Sequence, residues 1–228
     1  MSTYPKFLNH LEKNSQRYDH AFLAGDIVFE PNKRNFLKVK NELSFFFNNL
    51  YVAPGNHDVD MSSANENIKK EFLSVFNKNF QKVNINNNLF FVLDSTINPG
   101  NISSNQIIYL KKEIENIKDI KNIFIITHHP VWENYTNKKV LSNEWENLSL
   151  NNNFADVLSL FKNLKKEVKV FFVAGDFGVF HNRTVLFCEK NRNFYFIGTG
   201  MGNKKLDNYL EVLISSDGEI LLINPIFF

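Results

Sequence analysis

One cysteine in 228 residues excludes an intrachain disulfide framework. That residue, Cys188, closes the apolar run Thr184 to Cys188, which predicts a packed structural thiol and not a nucleophile. No stretch approaches the ~18 apolar residues needed to cross a bilayer, and the first residues are polar and charged, unlike a leader. The expectation is a cytoplasmic chain without a membrane segment, an upstream targeting segment being left open. Net charge is only +2, and no basic stripe interleaved with aromatics occurs, so no nucleic-acid partner is expected. Gly/Ser-rich and Pro-rich linkers are missing, as are internal repeats, so nothing marks a domain boundary. With 43% hydrophobic residues the chain can bury one core, and residues 1–228 read as a single domain. Asparagine is abundant, including the runs Asn86 to Asn88 and Asn151 to Asn153; these fit a nucleotide bias and carry no assigned chemistry.

What is present is an alternation of apolar β-type runs with helix-period segments, the pattern of strands joined by crossover helices. Pro5 opens a helix with Phe7, Leu8 and Leu11 at helical spacing. Strands follow at 20–24, 50–53, 89–93, 123–127 and 168–174, with helices near 33–47, 67–76, 104–117 and 154–164 between them. Beyond residue 174 the helical pattern stops. Short strands at 184–188, 194–197, 209–214 and 219–223, with Ser216-Asp217-Gly218 as a turn, predict an antiparallel second half.

Chemistry-bearing residues stand where strands end, the place an open α/β sheet puts its ligands. Four such ends are Ala24-Gly25-Asp26, Pro54-Gly55-Asn56-His57-Asp58, Thr127-His128-His129-Pro130 and Ala174-Gly175-Asp176. Singly, Gly-Asp after a strand is an ordinary turn, and a histidine pair before proline is more often packed or solvated than ligating. Jointly, carboxylate, amide and imidazole leaving neighbouring strands can meet at one point, a donor mixture suited to Mn, Fe, Zn or a similar divalent ion.

Leu23-Ala24-Gly25-Asp26-Ile27-Val28, Ala53-Pro54-Gly55-Asn56-His57-Asp58 and Ile126-Thr127-His128-His129-Pro130-Val131 resemble the second, third and fourth signature blocks of the calcineurin-like metallophosphoesterases. The resemblance implies a four-layer α/β/β/α sandwich of two mixed sheets with a two-metal centre at the strand ends. It implies that Asp26 bridges the metals, that Asn56 and His128 bind one of them, and that His57 meets the phosphate and helps protonate the leaving group. Asp58 is similar to the carboxylate that supports that histidine; the role of His129 is left open. The implied activity is metal-dependent hydrolysis of a phosphate ester, monoester or diester, on a small molecule or a phosphorylated substrate.

Two departures qualify this. The family's first block, Asp-x-His, has no counterpart before Asp26, so the fold is expected to lack its first strand, whether through truncation or true loss, and to expose a strand edge prone to association. The fifth block, Gly-His-x-His, appears as Gly175-Asp176-Phe177-Gly178, a form resembling a bacterial subset with Gly-Asp. Asp176 can still ligate, Gly178 cannot, and His181 is an uncertain substitute. The expectation is one retained metal site, formed by Asp26, Asn56, His128 and Asp176, with the second largely missing and activity impaired. The alternative is a non-catalytic domain of the same fold serving binding or assembly, although His57 and Asp58 favour the enzyme. Trp132, Tyr135 and Trp145 are candidates to line a pocket or to anchor loops.

Overall fold

The computed structural model describes residues 4–14, 17–59, 66–96, 100–138, 152–178, 184–202 and 206–228. The described elements run α1 (Pro5–Lys13), β1 (Tyr18–Ala24), α2 (Lys33–Leu43), β2 (Phe47–Ala53), α3 (Glu66–Phe76), β3 (Gln81–Ile85), β4 (Asn88–Val92), α4 (Ser104–Glu115), β5 (Asn122–Thr127), α5 (Phe154–Ser159), β6 (Lys169–Ala174), β7 (Phe187–Asn191), β8 (Phe194–Gly198), β9 (Asn208–Ile214) and β10 (Ile220–Phe227). Local chemistry sets the helix starts. Pro5 occupies the first turn of α1, where its missing N–H leaves no bond unmade. The Asn32 side chain accepts the Asn35 N–H at 2.9 Å to begin α2, and Ser103 caps α4 in the same way.

Four layers result, each interface filled by one face of an element. A six-stranded mixed sheet, ordered β3-β4-β5-β6-β8-β7, forms one inner layer. Its outer face packs Phe91, Ile125 and Phe172 against α4 and α5 through Leu110, Ile114, Phe154 and Val157. Its inner face meets a second β layer made of two separate two-stranded sheets, β1-β2 and β9-β10. On the far side of that layer lie α1, α2 and α3, holding Phe7, Leu11, Phe36, Val39, Leu43 and Phe72 against Ala21, Val52 and Tyr209. Strands β4 and β5 are buried along their whole length, as central strands covered on both faces must be.

The middle of the sandwich is an aromatic ladder. Phe90, Phe124, Phe171 and Tyr195 are register partners on β4, β5, β6 and β8. Their rings stack at centroid separations of 4.5, 4.5 and 4.6 Å. Phe22 of β1 continues the stack onto Phe90 at 4.5 Å and so joins the two β layers.

Several expectations are corrected. Among the described residues the second β layer is not one mixed sheet, because β1 pairs with β2 alone and β9 with β10 alone. The two pieces meet through side chains: the Tyr18 hydroxyl lies 3.0 Å from that of Tyr209 and donates to Glu211 at 3.1 Å. The second half is not wholly antiparallel, since β8 runs parallel to β6 and only β7-β8 and β9-β10 are antiparallel. An unexpected strand, β3, pairs with β4 across Asn86 and Asn87. Both asparagines have positive φ, 47° and 59°, which this residue type tolerates and a tight hairpin requires, so the run has a structural use. Cys188 is exposed, because β7 alternates and turns Phe187 and Glu189 inward instead. Trp132 is fully buried and stacks on Phe187 at 5.4 Å, a packing anchor and not a pocket wall, while Trp145 and His181 fall outside the described residues.

Candidate metal centre

Three strand ends converge. Asp26 follows β1, Asn56 follows β2 and His128 follows β5, and the topology sets β1 over β5 across the sandwich. The chain after β1 turns sharply, Gly25 at φ 81° and Asp26 at φ 54° both lying in the left-handed region. The approach is close enough to exclude side chains at two glycines. A Cβ on Gly55 would sit 2.2 Å from Asp26 Oδ1, and one on Gly25 would sit 2.7 Å from His128 Nδ1.

His128 is buried, and each ring nitrogen has a defined neighbour. Nδ1 lies 2.9 Å from the Ala24 carbonyl, which can only accept, so this nitrogen carries the proton in the neutral ring. The Nε2 lone pair then faces Asn56 Oδ1 at 2.8 Å and Asp26 Oδ2 at 3.5 Å. Three electron-rich atoms pointing at one another need a proton or a cation among them. Burial pushes the His128 pKa down, and Asp26 with Asp176 outweighs that and leaves it raised, the response of an imidazole in a cation-seeking pocket.

Asp176 stands at the adjoining end of β6. Its backbone N–H and that of Gly175 both donate to the His128 carbonyl at 3.1 Å, and its side chain is buried. Among the described residues no three His, Cys, Asp or Glu side chains gather around a single point, and Asp176 adjoins the Asp26–Asn56–His128 trio closely enough for its charge to act on His128.

The other residues singled out in the sequence divide. His57 is exposed, and its backbone N–H donates to Asp26 Oδ1 at 3.0 Å. Asp58 turns inward to zero exposure. Its Oδ1 accepts from Ile27 N at 3.0 Å and Val28 N at 3.3 Å, and its Oδ2 from Gly55 N at 2.9 Å, so both oxygens are taken by backbone and not by the His57 ring. Burial, and then the charge of Asp26, push its pKa up to about 7. His129 points away to Ser95, whose Oγ lies 3.0 Å from Nδ1 and accepts the His129 backbone N–H. Burial and neighbouring His128 drive the His129 pKa down to about 3, so the ring is neutral. The sequence reading missed Ser95 and the buried Asp94–Gln106 pair beside it. Asp94-Ser95-Thr96 lies one residue beyond the end of β4, a strand end like the other four, and that was the available signal.

The donor set, two carboxylates, an amide oxygen and an imidazole, is one that hard or borderline divalent cations accept. The sequence profile of the family described as calcineurin-like phosphoesterase matches residues 2–152. The chain belongs to the calcineurin-like phosphoesterases. Members of this family generally use divalent metal ions and hydrolyse phosphoesters. The chain is also similar to a probable glycerophosphodiester phosphodiesterase, GpdQ, of Arcobacter nitrofigilis, with 26% identity over 134 residues, 53% of this chain and 45% of the relative. The match thus spans less than half of that relative's length. No helix among the described residues is long and apolar enough to cross a membrane.

Proposed function

We propose that this calcineurin-like phosphoesterase hydrolyses phosphate esters at the ends of β1, β2, β5 and β6, with Asp26, Asn56, His128 and Asp176 as the ligands of one divalent cation. The observation that carries this is the approach of His128 Nε2 to Asn56 Oδ1 and Asp26 Oδ2 within 3.5 Å. A cation bound there supplies Lewis acidity toward the phosphoryl oxygens and lowers the pKa of nearby water. The remaining work belongs to the chain. Ala24 fixes the His128 tautomer, so that Nε2 keeps its lone pair toward the site. His57, exposed beside Asp26, protonates the leaving alkoxide as the P–O bond breaks and water forms the new one. The relative named as a glycerophosphodiester phosphodiesterase favours a diester as substrate.

One feature favours a second reading, a non-catalytic domain that binds or assembles. Gly178, at φ 83°, stands where the resemblance calls for a histidine, so a second cation would lose that ligand. A single assay series separates the readings. Metal-stripped protein reloaded with Mn²⁺ is expected to retain one ion per chain after dialysis and to cleave bis(p-nitrophenyl) phosphate slowly, while Asp26→Asn loses both properties. Two tightly held ions would refute the single-site proposal. One ion with no turnover of diester or monoester would support the non-catalytic reading.

A further inference from the structure

We propose that Asp58 is a positioning residue, one half of a reciprocal carboxylate clasp that holds Asp26 and Asn56 in ligand geometry; this rests on the metal-site reading above. Asp58, on the loop after β2, takes the backbone N–H groups of Ile27 and Val28 from the loop after β1, at 3.0 and 3.3 Å. Asp26, on the loop after β1, takes the N–H of His57 from the loop after β2, at 3.0 Å. Each loop is thereby tied to the other by its own carboxylate, and neither tie passes through a side-chain donor. Asp58 also closes its own loop: its Oδ2 accepts from Gly55 N at 2.9 Å while its N–H donates to Gly55 O at 3.0 Å, and Asn56 lies inside that turn.

The clasp answers two otherwise unexplained costs. Asp26 sits at φ 54°, a conformation that an L-residue with a side chain holds only when its surroundings determine it. Asp58 is a fully buried acid held by backbone N–H groups, close enough to Asp26 for like-charge repulsion, and an apolar residue of similar size would avoid both penalties. Three backbone N–H donors that would be stranded by an apolar replacement explain why an acid stands there. Asp58 therefore acts on the reaction through Asp26 and Asn56, and not through His57.

Asp58→Asn tests this, because the amide keeps one acceptor and turns a donor toward N–H groups; Asp58→Ser, smaller and neutral, serves if the asparagine variant does not fold. In metal-free protein, hydrogen exchange is expected to accelerate at Ile27, Val28 and Gly55 and to stay unchanged in β4 and β5. Unchanged exchange at those three amides would overturn the clasp whether or not the protein binds metal, and failure of the wild type to bind Mn²⁺ sinks only the metal-site reading. Mn²⁺ affinity is expected to fall about tenfold or more, the usual effect of removing support behind a ligand. The comparison is Phe124→Leu, a core variant away from the loops, which lowers thermal stability and leaves Mn²⁺ affinity as it was. If the Asp58 variant weakens Mn²⁺ no more than Phe124→Leu does, its role is general stability and the proposal fails. At saturating Mn²⁺, kcat is expected to recover; a depressed kcat with a shifted pH profile would assign Asp58 to proton transfer instead.

Discussion

A methyl group added at Gly55 would lie 2.2 Å from Asp26 Oδ1 and 2.3 Å from Asp26 N, with backbone on one side and a ligand oxygen on the other. Neither can retreat without breaking the bond from His57 N–H. Gly55→Ala is therefore expected to cost about 1–3 kcal/mol in thermal or urea unfolding, as overpacking does, and to abolish tight Mn²⁺ binding in a titration. Asp58 makes a second residue-level prediction. Its pKa is raised from 3.8 to about 7, so across that window the folded protein binds more protons than the unfolded one. Stability from this group is full below about 4 and is lost as pH rises toward 7, at up to about 1.4 kcal/mol per unit. Metal-free wild type should lose stability between pH 5 and pH 7 relative to Asp58→Asn in parallel urea titrations; a gain would contradict the assignment. Asp26, Asn56 and His128 were legible in the sequence because each is a side-chain donor leaving an apolar strand. The work of Asp58 was not, because its partners are backbone groups that no residue type announces.

Among elements, the ladder from Phe22 through Phe90, Phe124 and Phe171 to Tyr195 carries the junction of the two β layers. Phe124 is its middle rung and is 3% exposed. Phe124→Ala should cost about 3–5 kcal/mol in urea unfolding, since the rings on either side are fixed by strand register and cannot close the cavity. A loss below about 1 kcal/mol would mean that the stack contributes little beyond filling space. The strands of this sheet were readable because buried parallel strands are nearly continuous apolar runs. Strand β3 was not, because Gln81, Lys82 and Asn84 dilute its alternation and the asparagines that turn the chain look like composition. Helix α5 was read too long, for Leu160 and Phe161 keep the apolar period through turns after the helix has ended at Ser159.

At the scale of the molecule, the alternation of element types gave strands joined by crossover helices and the motif resemblance implied the four layers, whereas the division of the second β layer was in neither, because pairing partners are not written in a strand's own residues. That layer is held by contacts beyond the ladder. Tyr4 of the chain leading into α1 donates at 2.6 Å to Asp207, which is wholly buried before β9 and also accepts from Gly202 N at 2.9 Å. Tyr4→Phe should cost about 1–3 kcal/mol by leaving a buried carboxylate short of a donor, measured as a shift in urea midpoint. At the opposite end, the Asn88 side chain donates to the Gly218 carbonyl at 3.1 Å, so the β9-β10 hairpin is fastened at both extremities. The outward thiol of β7 offers a way to watch the molecule at work. Cys188 is the chain's one cysteine, and its neighbour Glu189 grips the amides of Asn137 and Lys138 at 2.7 and 2.9 Å, in the segment that leads away from the histidine pair. A maleimide dye therefore attaches at one address without any engineering, and its emission would register whether that segment shifts when Mn²⁺ or inorganic phosphate arrives.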